Sequence, residues 1–250
     1  MNDYINHRIA IVTGGASGIG FAIAKKFVQN NIKVILIGRD KTRLKLACET
    51  IGDLARFIGC DLAELSELPG LVKKIKEEHG RIDILVNNAG MHLKKPLIEL
   101  SDVDYQKVIL TNQTAVFSLT REVVKIMQEQ SSGVVLNISS IASRYGLPNI
   151  IAYTASKSAI EGMTRAMAVE IAHFGIRVNC IAPGFIKTNM STLALDKDPG
   201  HKKKALSRTP LGRLGKPEEV ADAALFMVSS TASFITGVVL PVDGGNSIGF

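Results

Sequence analysis

Arg8-Ile9-Ala10-Ile11-Val12-Thr13-Gly14-Gly15-Ala16-Ser17-Gly18-Ile19-Gly20 decides the fold of this chain. The apolar, β-branched run Arg8–Thr13 reads as a strand. The glycines after it permit a tight turn, and a helical pattern runs from Gly18 to Gln29. A strand, a glycine-rich turn and a helix N-terminus in that order bring backbone amides and a helix dipole to one point, where a pyrophosphate fits. The spacing is Gly-x-x-x-Gly-x-Gly through Gly14, Gly18 and Gly20, rather than the commoner Gly-x-Gly-x-x-Gly. Gly14, Ser17, Gly18, Ile19 and Gly20 are therefore the expected dinucleotide cradle.

Outward from this turn, apolar runs alternate with helical patterns. Further strands are expected at Lys33–Ile37, Ala55–Gly59, Ile82–Asn87, Gly133–Ser139, Ile176–Ile181 and Val238–Val242. Helices are expected at Leu65–His79, Asp102–Glu129, Ser156–Phe174 and Pro217–Ser229. Near-continuous apolar strands separated by helices argue a single doubly wound, Rossmann-type α/β domain: a seven-stranded, mostly parallel sheet with helices on both faces. One long connection, from Gly184 to Lys216, departs from the rhythm. Short helical stretches are expected within it at Ser191–Ala194 and Lys202–Leu206, and residues 185–216 read as a substrate lid at the carboxyl edge of the sheet.

The end of the second strand reads Gly38-Arg39-Asp40. An acid here binds a ribose 2′-hydroxyl, whereas an arginine accommodates a 2′-phosphate. Gly38 removes the usual acid and Arg39 pairs with phosphate, which favours NADP(H) over NAD(H). Asp40 leaves the alternative open, because it can tie up Arg39 or reach the ribose itself.

Tyr153 and Lys157 stand four residues apart, so a helix projects them from one face. A phenol has a reference pKa of about 10, too high for proton transfer at neutral pH. An ammonium about 4 Å away favours the phenolate by roughly 4 kcal/mol, about three pKa units, and draws Tyr153 towards neutrality.

Composition removes several function classes. Of 250 residues, 46% are hydrophobic and 21% charged, which suits one globular domain long enough for a large core. No apolar run reaches the length of a membrane span, and Met1-Asn2-Asp3-Tyr4 does not resemble a signal peptide. Cys48, Cys60 and Cys180 are widely spaced and odd in number, as expected of reduced thiols in a cytoplasmic protein with no metal site. The net charge of +7 is spread along the chain, and aromatic residues are only 5%, so nucleic acid is not the expected partner. The run His201-Lys202-Lys203-Lys204 reads as a solvated helix face, with a docking spot for an acidic substrate as the alternative.

At this point the sequence resembles the short-chain dehydrogenase/reductase family, in its single-domain branch. The shared motifs run in order from the glycine turn through Asp61-Leu62, Asn87-Asn88-Ala89-Gly90, Asn112, Ser140, Tyr153 and Lys157 to Pro183-Gly184, Gly237 and Val242-Asp243-Gly244-Gly245. The resemblance implies that Asp61 contacts the adenine, while Asn88, Ala89 and Gly90 line the cofactor and hold the central sheet. It implies that Pro183, Gly184, Ile186 and Thr188 border the nicotinamide. It further implies that Ser140 bonds the substrate oxygen; by strand alternation, the neighbouring Ser139 points the other way. Tyr153 then transfers the proton, Lys157 favours its phenolate and binds the ribose, and Asn112 helps hold a water behind Lys157. A homotetramer built on the two long helices is also implied; Val108, Val116, Leu119 and Val123 suggest a second apolar face on the first.

The expected activity is hydride transfer between nicotinamide and a ketone or secondary alcohol. Met91, Leu147, Ile150, Phe185 and Met190 are candidate pocket residues for an apolar substrate. The alternative is a 3-oxoacyl-acyl-carrier-protein or coenzyme A reductase. Against it, Gln130-Ser131 and Phe174 stand where such reductases carry basic docking residues, and Ile150 replaces a frequent glutamine. A redox-cofactor-sensing protein without turnover is the alternative of another class; it would lack Ser140, Tyr153 or Lys157, and all three are present.

Overall fold

The computed structural model describes residues 8–188 and 199–249. Seven strands form one sheet: β1 Ile9–Thr13, β2 Lys33–Gly38, β3 Ala55–Gly59, β4 Ile84–Asn87, β5 Gly133–Ile138, β6 Ile176–Pro183 and β7 Val239–Val242. Their order is β3-β2-β1-β4-β5-β6-β7, and every neighbouring pair is parallel. The helices are α1 Gly18–Gln29, α2 Lys41–Ile51, α3 Leu68–His79, α4 Asp102–Ile109, α5 Ala115–Glu129, α6 Ile151–Ile171, α7 Pro199–Ser207 and α8 Pro217–Val228. Among the described residues no helix is long and apolar enough to cross a membrane.

Strand alternation divides the core into two layers. Ala10 and Val12 of β1 face one layer with Ile23 and Phe27 of α1 and Met227 of α8. Ile9 and Ile11 face the other with Ile75 of α3 and Leu119 and Val123 of α5. All five residues of β1 are buried, as a central parallel strand covered on both faces requires. The strand order reverses between β1 and β4, so the connections diverge and open a crevice at their carboxyl ends.

The helices depart from the sequence expectation in several places. The helix that carries Lys157 begins at Ile151 rather than Ser156, so Tyr153 lies in its first turn. The expected helix Asp102–Glu129 is broken by a π-helical turn at Leu110–Thr114, whose wider winding turns Asn112 fully inward. Helix α2, not singled out from the sequence, follows an Asp40 N-cap whose side chain accepts from the Arg43 amide.

A buried polar chain ties the middle of the sheet to two helices. Asn87 and Asn137 are register partners on β4 and β5, and Asn87 Nδ2 donates to Asn137 Oδ1 at 2.9 Å. The chain continues from Asn87 to Thr120 of α5 and from Asn137 to Thr164 of α6, each at 2.9 Å. In a dry core each of these groups is costly to leave unpaired. Asn137→Ala removes two of the bonds and should cost about 2 kcal/mol, lowering the melting temperature by about 4–8 °C. A thermal melt with an unchanged midpoint would contradict this account.

Candidate active site

The glycine turn is built by close approach. Gly14 and Gly18 adopt φ of 65° and 56°, which L side chains rarely tolerate. A Cβ on Gly20 would lie 2.4 Å from Asn88 Nδ2 and 2.5 Å from the Gly14 oxygen. Thr13 Oγ1 accepts from the amides of Asn88 and Ala89 at 3.0 Å each, and Asn88 Nδ2 donates to the Thr13 oxygen at 3.0 Å. The ends of β1 and β4 are thereby locked together. Ser17, the N-cap of α1, makes no side-chain cap bond, and the first turn of α1 carries no acid. The helix therefore presents its amides to an anion without competition. These residues fit a dinucleotide phosphate.

From this turn a cavity of about 410 Å³ extends along the carboxyl edge of the sheet. Gly14, Ser17, Gly18, Ile19, Asn88, Ala89, Gly90, Ser140, Tyr153, Lys157, Pro183, Gly184, Ile186 and Thr188 all lie in its wall. Ser140 from the end of β5 and Tyr153 and Lys157 from α6 thus meet the glycine turn. Gly20 lies beneath the turn, against Asn88. Asn112 is fully buried behind Gly90 and Lys157: a Cβ on Gly90 would stand 3.2 Å from Asn112 Oδ1 and 3.7 Å from Lys157 Nζ. Asn112 also clamps the next residue, accepting from the Met91 amide at 2.8 Å and donating to its oxygen at 2.9 Å.

Lys157 is only 5% exposed, and its Nζ donates to the Ile138 oxygen at 2.8 Å. Burial pulls its pKa down to about 8. Nζ lies 5.7 Å from the centroid of the Tyr153 ring. Tyr153 departs from expectation: burial raises the phenol pKa, and a hydrogen bond with the Ser140 side chain opposes that rise. The ammonium is held on the Ile138 carbonyl, so desolvation of the phenolate prevails over attraction to Lys157. Ser140 Oγ accepts from the Ala142 amide at 3.2 Å, which leaves its own proton for donation. Ser139 instead gives its hydroxyl to Glu161 Oε1 at 3.0 Å.

His92 was not anticipated. Its ring tilts over Tyr153 at a centroid distance of 4.8 Å, and it joins the cavity wall. No periodicity or spacing signals it; only its position two residues after Gly90 hints at it. Of the expected apolar pocket residues, Met91 and Phe185 line the cavity. Leu147 and Ile150 do not, and Ile150 is buried at the start of α6. Met190 and the expected helix Ser191–Ala194 lie outside the described residues.

Arg39, Asp61 and Leu62 stand apart from this cavity, at the ends of β2 and β3. Asp40 does not engage Arg39; it caps α2 and lies 3.3 Å from Arg43 Nε. Arg39 is 76% exposed and approaches Asp61 only to 3.9 Å. Leu62 packs against the core cluster beneath α3. The Lys187 amide donates to the Gly215 oxygen at 2.8 Å and the Gly215 amide to the Phe185 oxygen at 2.9 Å, joining the two ends of the long connection. A second cavity, of about 520 Å³, shares Phe185 and Ile186 with the first but contains none of the catalytic candidates.

Comparison with known proteins establishes the family. Residues 14–247 match a family described as enoyl-(acyl carrier protein) reductase. The chain is 40% identical to a 3α-hydroxysteroid dehydrogenase of Mediterraneibacter gnavus, over 96% of this chain and 97% of that one. It is 39% identical to a 3-oxoacyl-[acyl-carrier-protein] reductase of Chlamydia muridarum, over 98% and 99%. A putative gluconate dehydrogenase from Agrobacterium tumefaciens superposes with a TM-score of 0.94 at 34% identity, covering 97% of each chain. The chain belongs to the short-chain dehydrogenase/reductase family. It is accordingly an oxidoreductase, and its sheet order and single domain are those of its structural neighbours.

The buried lysine of this oxidoreductase has a measurable cost. Below pH 8 its charged form is held in the core, whereas the unfolded chain keeps the ordinary lysine pKa. The unfolded state therefore binds more protons between about pH 8 and 10.5, and stability rises across that window. Lys157→Met removes a penalty of roughly 3 kcal/mol, less the lost bond to Ile138. The variant should melt above the wild type at pH 7, with the margin shrinking as pH rises past 8. A margin constant from pH 7 to 10 would contradict this origin.

Proposed function

We propose that this enzyme interconverts a ketone and its secondary alcohol with NADP(H), using Ser140, Tyr153, Lys157 and Asn112. The observation that carries the reading is the convergence of Ser140, Tyr153 and Lys157 on the wall of a cavity that begins at the glycine turn. A carbonyl oxygen between the two hydroxyls accepts two hydrogen bonds. When bound, the dinucleotide supplies the hydride. Tyr153 releases its proton to the oxygen as the alkoxide forms, and Ser140 stabilises that oxygen. Burial keeps the phenol protonated, as a donor for reduction must be. Lys157 favours the phenolate left behind and offers donors to the ribose. Asn112 keeps Gly90 and Met91 against Lys157 and helps hold the water that returns the proton.

The cofactor preference rests on Arg39 being clear of Asp40. Its weak approach to Asp61 leaves the guanidinium available to a 2′-phosphate, with Asp61 and Leu62 beside the adenine and Asn88, Ala89, Pro183, Gly184, Ile186 and Thr188 along the rest. Reduction of a 3-oxoacyl thioester is the second reading, favoured by the relative so named. Against it, Gln130 bonds both the amide and the oxygen of Ile82, a structural role. Lys203 and Lys204 are exposed on α7 and remain open to an acidic carrier.

A homotetramer is also proposed, with corrected supporting residues. Val108, Val116, Leu119 and Val123 are all buried within the subunit. Phe117 on α5, Val169 on α6 and Phe234 before β7 are among the exposed apolar side chains there. Three free thiols suit a reducing cytoplasm.

Tyr153→Phe should lower turnover at least 10²-fold while NADPH binding, followed by fluorescence titration, is kept; a third of the wild-type rate would overturn the assignment. Arg39→Ala should erase a ten- to hundredfold preference for NADPH, since a charge-assisted contact is worth about 1.5–3 kcal/mol. Paired kcat/KM values for NADPH and NADH check this, and equal use of both by the wild type defeats it.

A further inference from the structure

Behind the Ser140 turn lies a carboxylate that the mechanism above does not use. Glu161 stands one helical turn after Lys157 on α6. Its Oε1 accepts from Ser139 Oγ at 3.0 Å and from Ser143 Oγ at 2.5 Å. These two serines bracket Ser140 on both sides. Ser143 Oγ also lies 2.6 Å from the Ser140 oxygen, so the carboxylate is one hydroxyl away from the Ser140 backbone. A second α6 side chain, Ser158, donates to the Ser143 oxygen at 3.4 Å. The Ser140 side chain is thus set by an extended backbone, φ −166° and ψ 153°, whose flanks are both fastened to the helix that carries Tyr153 and Lys157.

We propose that Glu161 is a positioning residue for the reaction, fastening the Ser139–Ser143 turn to α6 so that Ser140 and Tyr153 keep one geometry. The proposal rests on the reading that Ser140 binds the substrate oxygen. The physical need is plain. Ser140 comes from the end of β5 and Tyr153 from the start of α6, two elements joined by a loop that includes Gly146 and Pro148. The two hydroxyls address one oxygen atom, and a displacement of about 1 Å between them can cost on the order of 100-fold in rate. A carboxylate suits the task because it only accepts, so two serine hydroxyls converge on it. Being on the same helix as Tyr153, it makes the strand end follow any movement of the catalytic phenol.

The experiment is a double-mutant cycle in the full-length enzyme, with NADPH and the ketone that the wild type reduces fastest in a panel. Glu161→Leu should lower kcat about ten- to a hundredfold, with NADPH affinity within about twofold of wild type. Glu161→Gln keeps an acceptor oxygen and should recover most of that loss. In a Ser140→Ala background, Glu161→Leu should cost almost nothing more, because its effect passes through Ser140. Ser143→Ala carries the same test with a smaller loss if Glu161→Leu does not fold. Losses that multiply in the Ser140→Ala background, or equal losses for the Gln and Leu variants, would overturn the proposal. A wild-type rate for Ser140→Ala alone would instead overturn the reading of Ser140 on which it rests.

Discussion

A single buried cation organises the candidate active site of this molecule. Lys157 is taken out of water by the sheet and bonded to the Ile138 carbonyl, at the point where β5 ends. Keeping an ammonium there is unfavourable unless its surroundings are fixed, and they are. A Cβ on Gly90 would stand 3.2 Å from Asn112 Oδ1, so the glycine lets Asn112 close in beside Lys157. Tyr153 lies over it, one turn earlier on α6. The lowered pKa of the lysine and the raised pKa of the phenol share one cause, desolvation in the same pocket.

That pocket exists because the chain reverses its direction of winding between β1 and β4. The crevice opened there is narrow, and its two lips are locked by Thr13 and Asn88 rather than by apolar packing. The buried Asn87–Asn137–Thr164 chain performs the same service one layer down. It ties the strands that carry the site to the helix that carries Tyr153. Fully satisfied, such a chain permits one arrangement of strand and helix, because slippage by one residue leaves several buried groups unpaired. The Glu161 contacts extend that logic to the end of β5, where the sheet hydrogen bonds stop.

Much of this was legible along the chain. The seven strands, their parallel sense and the glycine turn follow from hydrophobic runs and turn chemistry, which are local properties. The Tyr153–Lys157 pair follows from helical spacing. The positions of Ser140, Asn112 and the Pro183–Thr188 stretch came from the family resemblance, since no local pattern in the residues marks them. His92 had no signal beyond its nearness to Gly90, because it enters the site through a contact with Tyr153, 61 positions away in sequence.

What the sequence determined by itself is the set of elements and the chemical identity of the groups at their carboxyl ends. Periodicity, glycine placement and residue type act over a few residues, so they can be read before folding is known. Tertiary structure alone decided the electrostatic outcome. It placed the lysine charge on a carbonyl, left Tyr153 protonated by burial, and freed Arg39 by giving Asp40 to a helix cap. It also turned Asn112 inward through a π-helical turn that no helical pattern announces. These outcomes depend on solvent exclusion and on partners far apart in sequence, and both are properties of the packed molecule.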